Sequence, residues 1–408
     1  MSEILSYPSK WQVRRLEEVA ANSQYPIGDG DHGQIKPKDY ATEGIPYIRV
    51  GDMGWGQFLP EKMVYIPEEV HLKNLKSKLL PGDILIAKTG ATIGKCCIIP
   101  DTIKEANTTS SVGKITVDKN KILPEWVLHW FLTPNFLKFI WSISNRAAQP
   151  GFNNRDIKLF KIPVPPLPEQ KRILVILNDA LAKIEKAKAN AEQNLKNAKE
   201  LFESYLQGVF EDKGDDWEEK TLGEVCKISS KLIDPKISEY QNLIHIGAGN
   251  VESKKGTLID LKTAKEENLI SGKFLFDESM ILYSKIRPYL MKVVNCEFQG
   301  LCSADIYPLV PIKEKMTKDF LYHLLLTKDF TDYAILGSQR AGMPKVNREH
   351  LFAYKFELPP IKEQKTIVQK LDGLSADIKK LEEVYKQKIC DLEELKKSVL
   401  QKAFSGEL

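Results

Sequence analysis

Half of this chain is a rewritten copy of the other half. The segment at residues 166–173, PLPEQKRI, returns at 358–367 as LPPIKEQKTI, so that Glu169 and Glu363 lie 194 residues apart (363 − 169). The same offset pairs His129 with His323, Leu132-Thr133 with Leu326-Thr327, Phe136 with Phe330, Arg146-Ala147 with Arg340-Ala341, Pro150 with Pro344, Asn153 with Asn347 and Lys161 with Lys355. Beyond the motif it pairs Ile173, Leu177 and Ile184 with Ile367, Leu371 and Ile378, then Leu206-Gln207 and Phe210 with Leu400-Gln401 and Phe404. A register held this far without gaps is an internal duplication, and every functional element is expected twice.

Each half opens on W-x4-L-x2-V, with Trp11, Leu16 and Val19 in one and Trp217, Leu222 and Val225 in the other. These openings are 206 residues apart (217 − 11), so the halves differ by about a dozen residues in their loops, where binding specificity usually varies. Residues 45–53, IPYIRVGDM, and 82–99, GDILIAKTGATIGKCCII, read as short strands punctuated by glycine, and a helix is expected over 125–142. In the second half NLIHIGAGNV (242–251) and SMILYSKIRPYLMKVV (279–294) take the same places, Lys285 stands for Lys88, and 319–334 supplies the helix.

After each mixed α/β head a proline-rich exit, VPPLPEQ or LPPIKEQ, forces an extended approach and a clean helix start, with a glutamate at the positive end of the dipole. No proline follows as far as Phe210 or Phe404, so two helices of about 40 residues and roughly 60 Å are expected. The second carries Leu371, Leu374, Ile378, Leu381, Tyr385, Leu392, Leu395 and Val399 at heptad steps. The first has Leu177, Ala180, Ile184, Ala187, Ala191, Ala198, Leu201 and Tyr205 at the equivalent places, and large against small predicts close packing of the two helices. The connection from Gln207 to Trp217 spans at most about 35 Å, too short to recross such a rod, so the pair is expected to be antiparallel. The expected fold is α+β: a head at 1–165, a long helix at 166–211, a second head at 212–359 and a second long helix at 360–408, with pseudo-twofold symmetry and the helices forming a coiled coil.

The residues that could carry chemistry point away from catalysis. The GDGDHG loop holds Asp29, Asp31 and His32 but lacks the later ligands of a calcium loop, and a turn beside a strand is the better reading. GAGN at 247–250 is too short for a dinucleotide fingerprint, and His129 and His323 sit inside apolar helices, where a structural role is expected. The repeated EQK resembles part of a metal-dependent nuclease site, but only Glu357, in one copy, offers the further acidic ligand. Cys96, Cys97, Cys226, Cys296, Cys302 and Cys390 form no CxxC pair and are expected to be reduced and largely apolar in role. With no apolar run of roughly 20 residues and no secretion signal in MSEILSYPSKW, the chain is expected to be cytoplasmic and free of membrane. No metal or cofactor is expected in this chain.

Binding remains. The 59 basic and 55 acidic residues leave a net charge of only +4, so clustering decides whether nucleic acid is a partner. Basic and amide residues do recur at matched places: Lys88, Thr89, Gly90 and Lys95 with Arg146, Gln149, Asn153, Asn154 and Arg155 in the first half, and Lys285, Arg287 and Lys292 with Arg340, Lys345, Asn347 and Arg348 in the second. Lysine and arginine neutralise phosphates, while arginine, asparagine and glutamine suit bidentate bonds to base edges. Two such heads on a stiff spacer would form a two-site ruler along a linear polymer.

In these segments the chain resembles the DNA-specificity subunits of type I restriction-modification systems. The resemblance rests on DGDHG leading to GIPYIRVGDM, on GDILIAKTGATIGK, SKIRPYL, RAAQPGFNN and RAGMPKVN, and on PPLPEQKRI and PPIKEQKTI, in duplicate order over nearly the whole chain. One departure is SMIL where GDIL is expected, which bears on the turn before that strand. The resemblance implies two target-recognition domains, each reading half of a split double-stranded DNA target, with the helices fixing the gap and docking two modification subunits. Those subunits would carry S-adenosylmethionine and methylate adenine, and restriction subunits using Mg and ATP would join to cut DNA. A self-contained restriction enzyme and a coiled-coil scaffold with protein-binding heads are the alternative readings.

Overall fold

The alternating apolar segments form two kinds of sheet in each half, and the second half repeats the first with one added strand, Leu232–Ile233, at the edge of its second sheet. The structure, a computed structural model, describes residues 7–144, 151–212, 214–338 and 343–408. In the first half, Ile27–Asp29, Val112–Ile115, Ile84–Ala87 and Cys96–Ile98 lie side by side in that order, all antiparallel. The second half answers with Cys226–Ile228, Ile306–Pro311, Ile281–Ser284 and Val293–Asn295. Registers also match, since Ile86 faces Gly113 where Tyr283 faces Tyr307. A second sheet holds one parallel pair in each case, Ile45–Ile48 with Ala106–Thr108 and Ile244–Ile246 with Gly300–Cys302. A two-stranded ribbon closes each head, Gln12–Arg15 on Lys161–Val164 and Glu218–Thr221 on Lys355–Leu358. The turn before Ile281–Ser284 forms despite SMIL: Met280 N–H donates to Asp277 O at 3.1 Å, as Asp83 N–H does to Leu80 O at 3.0 Å.

Where single helices were expected over 125–142 and 319–334, the structure has two short ones each time: Pro124–Phe131 and Pro134–Ser144, then Lys318–Leu324 and Lys328–Leu336. The break has a local cause. In the repeated Leu-Thr pair, the Thr133 and Thr327 hydroxyls accept from Phe136 N–H at 3.3 Å and Phe330 N–H at 3.2 Å, and Pro134 cannot continue the preceding helix.

The long helices run Leu167–Glu211 and Ile361–Ser405, and the chain divides into two units that each contain a stretch of both. One unit holds residues up to Ala191 together with Gln387–Leu408; the other is Glu192–Lys386. Within the first unit the stretches run antiparallel: Lys396 Nζ meets Glu185 Oε1 at 2.6 Å, Lys188 pairs with Glu393, and Arg172 donates to Leu408 O at 2.5 Å. There Leu400, Ala403 and Phe404 complete the core of the first head, with the Phe404 ring 4.5 Å from Trp126 and 5.3 Å from Trp130. Within the second unit the end of the first helix does the same, Leu206 joining the core beside Ile367, Val368 and Leu371, and Phe210 lying 5.1 Å from Phe320.

Leu177, Ile184, Ala191, Ala198, Leu371 and Ile378 are buried, and Ala180, Ala187, Leu374, Tyr385 and Leu392 are half-buried. Four expected seam positions face solvent instead: Leu201 at 58%, Tyr205 at 39%, Leu381 at 40% and Leu395 at 48% exposure. Their neighbours Phe202, Leu206, Glu382 and Lys396 turn inward, because a helix of 3.6 residues per turn drifts against a strict heptad and the covered stripe slips by one residue.

The EQK motif has a structural task that its glutamine performs. Gln170 is fully buried; its Oε1 accepts from Leu123 N–H at 2.9 Å, and its Nε2 donates to Lys121 O at 3.0 Å and Pro165 O at 2.8 Å. Gln364 makes the same three bonds, to Thr317 N–H at 2.8 Å, Lys315 O at 2.8 Å and Pro359 O at 2.9 Å. The paired histidines are a second tie, His129 Nε2 to Asn178 Oδ1 and His323 Nε2 to Asp372 Oδ1, both at 2.9 Å.

Burial pushes both imidazoles below their ordinary value of 6.5, with Asn178 and Asp372 pulling the other way. A histidine depressed in the folded state binds its proton more readily when unfolded. The stability these groups contribute is therefore in place above pH 6.5 and is lost as pH falls from there through the folded values. The urea midpoint should drop between about pH 7 and pH 5, and drop less in a His129→Gln/His323→Gln chain. Equal pH dependence in the two chains would remove the histidines from that role.

Candidate nucleic-acid interface

Lys88 follows directly on the strand that GDILIA makes, and Lys285 on the strand that ILYS makes; both backbones are pinned the same way. Lys88 N–H donates to Ser111 O at 2.8 Å and its carbonyl accepts from Phe152 N–H at 3.1 Å, while Lys285 N–H donates to Asp305 O at 3.0 Å and its carbonyl accepts from Val346 N–H at 2.9 Å. Isolated bridges follow at matched places, Thr89 with Gly151 and Ile286 with Lys345. Each head thus sets a strand-end loop, 88–95 or 285–292, beside a second segment, 151–155 or 343–348.

The loops share backbone shape and differ in letters. Gly90 and Gly94 have φ of +81° and +90°, and the matched Arg287 and Met291 adopt the same left-handed region at +50° and +47°. A side chain there costs about 1–2 kcal/mol, a strain of the kind found at binding loops. Arg287 is held in place as its N–H donates to Pro344 O at 2.9 Å.

The structure separates the expected contact residues into two groups. Lys88 is not on the surface: it is 4% exposed, and its Nζ donates to Asp29 Oδ2 at 2.5 Å and to Asn154 Oδ1 at 3.2 Å. Asn153 and Asn347 cap short helices, accepting from Arg155 N–H at 2.8 Å and Asp156 N–H at 3.2 Å, and from His350 N–H at 2.7 Å. Those carbonyl oxygens are committed to the backbone. Lys292 donates to Ala248 O at 2.6 Å. Thr89, Gly90 and Lys95 are half-buried in the first loop with Arg155 exposed beside it, and Arg287 and Arg348 are exposed in the second head with Lys285 and Lys345 half-buried. Arg146, Gln149 and Arg340 lie outside the described residues.

The acidic residues of GDGDHG do not converge on a point. Asp29 meets Lys88 and His32, the latter at 3.1 Å, whereas Asp31 accepts from Tyr47 Oη at 2.9 Å and from Ile35 N–H at 2.5 Å. Among the described residues, five cysteines are buried and Cys390 is exposed; burial pushes Cys97, Cys226, Cys296 and Cys302 up to about 12. No helix among the described residues is long and apolar enough to cross a membrane.

Missed from sequence were Asp29, Tyr307 and Asp305 as partners of the loop lysines, and Gln170 and Gln364 as clamps. Only the glutamines left a signal, their repetition at the common offset.

Residues 8–194 and, again, 214–389 match the type I restriction modification DNA specificity domain. The chain belongs to that family. It is 31% identical over 314 residues to the type I restriction enzyme EcoDI specificity subunit of Escherichia coli, covering 69% of each chain. Over 396 residues it is 24% identical to the StySPI specificity subunit of Salmonella potsdam, covering 89% of this chain and 82% of that one. A solved chain from work on complex assembly and conformational transition of the type I R-M system superposes with a TM-score of 0.79 at 18% identity, over 99% of this chain and all of that one. That likeness shows the fold along the whole length, two repeated mixed domains with two long helices, as the duplication predicts.

Proposed function

We propose that this chain is the DNA-recognition subunit of a type I restriction-modification complex. Each head reads one half of a bipartite target in double-stranded DNA, and the long helices, 45 residues each, set the unspecified gap and dock two modification subunits. Restriction subunits add to that assembly. S-adenosylmethionine, Mg and ATP belong on those partners, and this chain contributes recognition without a catalytic step of its own.

The observation that carries the reading is the loop pair. Its backbone frame is the same in both heads, down to the bonds at Lys88 and Lys285, while the residues it presents differ, TGATIGK against IRPYLMK. A constant frame with exchanged side chains is what two half-sites of unlike sequence require, because base edges are read by side chains. Mapping methylated bases in cells that express the chain with its cognate modification subunit tests this. Two short specified blocks separated by a fixed unspecified gap are expected; a contiguous motif, or methylation independent of this chain, would overturn it.

A further inference from the structure

The two loop lysines share one backbone position and end in opposite environments, and a single neighbouring residue decides which. In the first head the facing strand has Gly113, and a Cβ built there would lie 3.3 Å from Lys88 Cδ and 2.5 Å from Ile157 Cδ1. Lys88 folds inward over that gap to reach Asp29 and is neutralised. At the matched place the second head has Tyr307, whose ring fills the space, and Lys285 Nζ sits 4.8 Å from its centroid. The side of the strand where Asp29 stands in the first head has no carboxylate in the second: continuing the pairing of Ser229 N–H with Pro308 O brings Ser230, not an acid, opposite Tyr307.

Two more cations converge there. Arg348 Cζ lies 6.0 Å from the same ring, and Lys345 Nζ is 3.9 Å from Asp305 Oδ1. Their counterparts at the common offset, Asn154 and Gly151, carry no charge. Lys285, Lys345 and Arg348 thus gather around Tyr307 with Asp305 as the acid beside them, whereas at the matched positions of the first head Lys88 is paired with Asp29 and Gly151 and Asn154 are uncharged. Burial and the neighbouring Lys345 and Arg348 all push Lys285 below its ordinary value, with Asp305 opposing them; an anion on the cluster would relieve that repulsion.

We propose that Lys285, Lys345 and Arg348 form a phosphodiester-binding site in the second head for which the matched positions of the first, Lys88, Gly151 and Asn154, have no equivalent, so that these positions grip the two halves of the target unequally. Tyr307 acts as the wedge that keeps Lys285 outward, and its face adds a cation–π attraction that holds the cations in place. The inference rests on the reading that the heads bind DNA, and deepens it.

The test is the slope of log affinity against log salt, measured with the full-length chain in its assembled complex on duplexes carrying the target. Lys345→Gln/Arg348→Gln should flatten the slope by about 1 and weaken binding about tenfold at 0.15 M salt, equally on duplexes with the second half-site altered. Lys88→Met should leave the slope unchanged and lower the melting temperature. An unchanged slope in the double variant, with wild-type binding still salt-dependent and sequence-selective, overturns the site alone. Absence of selective DNA binding by the wild-type complex overturns the function and the site together. If inorganic phosphate at constant ionic strength stabilises the wild type but not the double variant, and DNA slopes are equal, the cluster holds a free anion and its assignment to DNA falls.

Discussion

Gln364→Leu is expected to destabilise the second unit by about 3–5 kcal/mol, and Gln170→Leu the first by a similar amount. Each glutamine satisfies one N–H and two carbonyls where the head meets its long helix. Leucine fills nearly the same volume, so the loss comes from stranded polar groups, each costing about 1–3 kcal/mol when buried. Glutamate separates bonding from shape: it keeps the acceptor for Thr317 N–H or Leu123 N–H but cannot donate to the two carbonyls, and should not rescue. Urea unfolding is the measurement, and a loss below about 1 kcal/mol for both leucine variants would show that the clamp is dispensable.

Phe404→Ala should cost about 3–5 kcal/mol, and the loss should fall on the first unit although the residue lies near the end of the second long helix. Its ring packs at a tilt against Trp126 and Trp130 in the core of the first head. Five of the six tryptophans, Trp11, Trp55, Trp126, Trp130 and Trp141, belong to that unit, so fluorescence reports it almost alone. The fluorescence transition should move to lower urea in Phe404→Ala and stay in place in Phe210→Ala, whose ring packs on Phe320 in the second unit. A fluorescence transition unmoved by Phe404→Ala would mean the helix end contributes nothing to the head.

Much of this architecture was legible because duplication supplies an internal alignment. The offset of 194 picks out the helix starts, the paired histidines and the ends of both long helices without any structure. Side-chain fate was less legible. Asn153 and Asn347 are residue types that cap helices and also read adenine, and the letters do not separate the two uses. Lys88 and Lys285 are the same residue at the same place, yet Gly113 or Tyr307 on the facing strand sends one inward and holds the other out. Leu201, Leu381 and Leu395 fit a strict seven-residue count, which an α-helix follows only where supercoiling enforces it. The breaks after Phe131 and Leu324 were written in the repeated Leu-Thr pair, whose hydroxyl begins a new helix.

The completion of the first core by Phe404 sets an order of events during synthesis. Residues 192–386 form one continuous stretch, so that unit can close as soon as it leaves the ribosome. The N-terminal unit cannot: Trp126 is made 278 residues (404 − 126) before the ring it packs against, and must wait with that apolar face open. The usual sequence, first-made part finished first, is therefore reversed. Products that end between Lys386 and Phe404 would hold a finished second unit and an unfinished first one, so that only chains translated through Phe404 carry both heads complete.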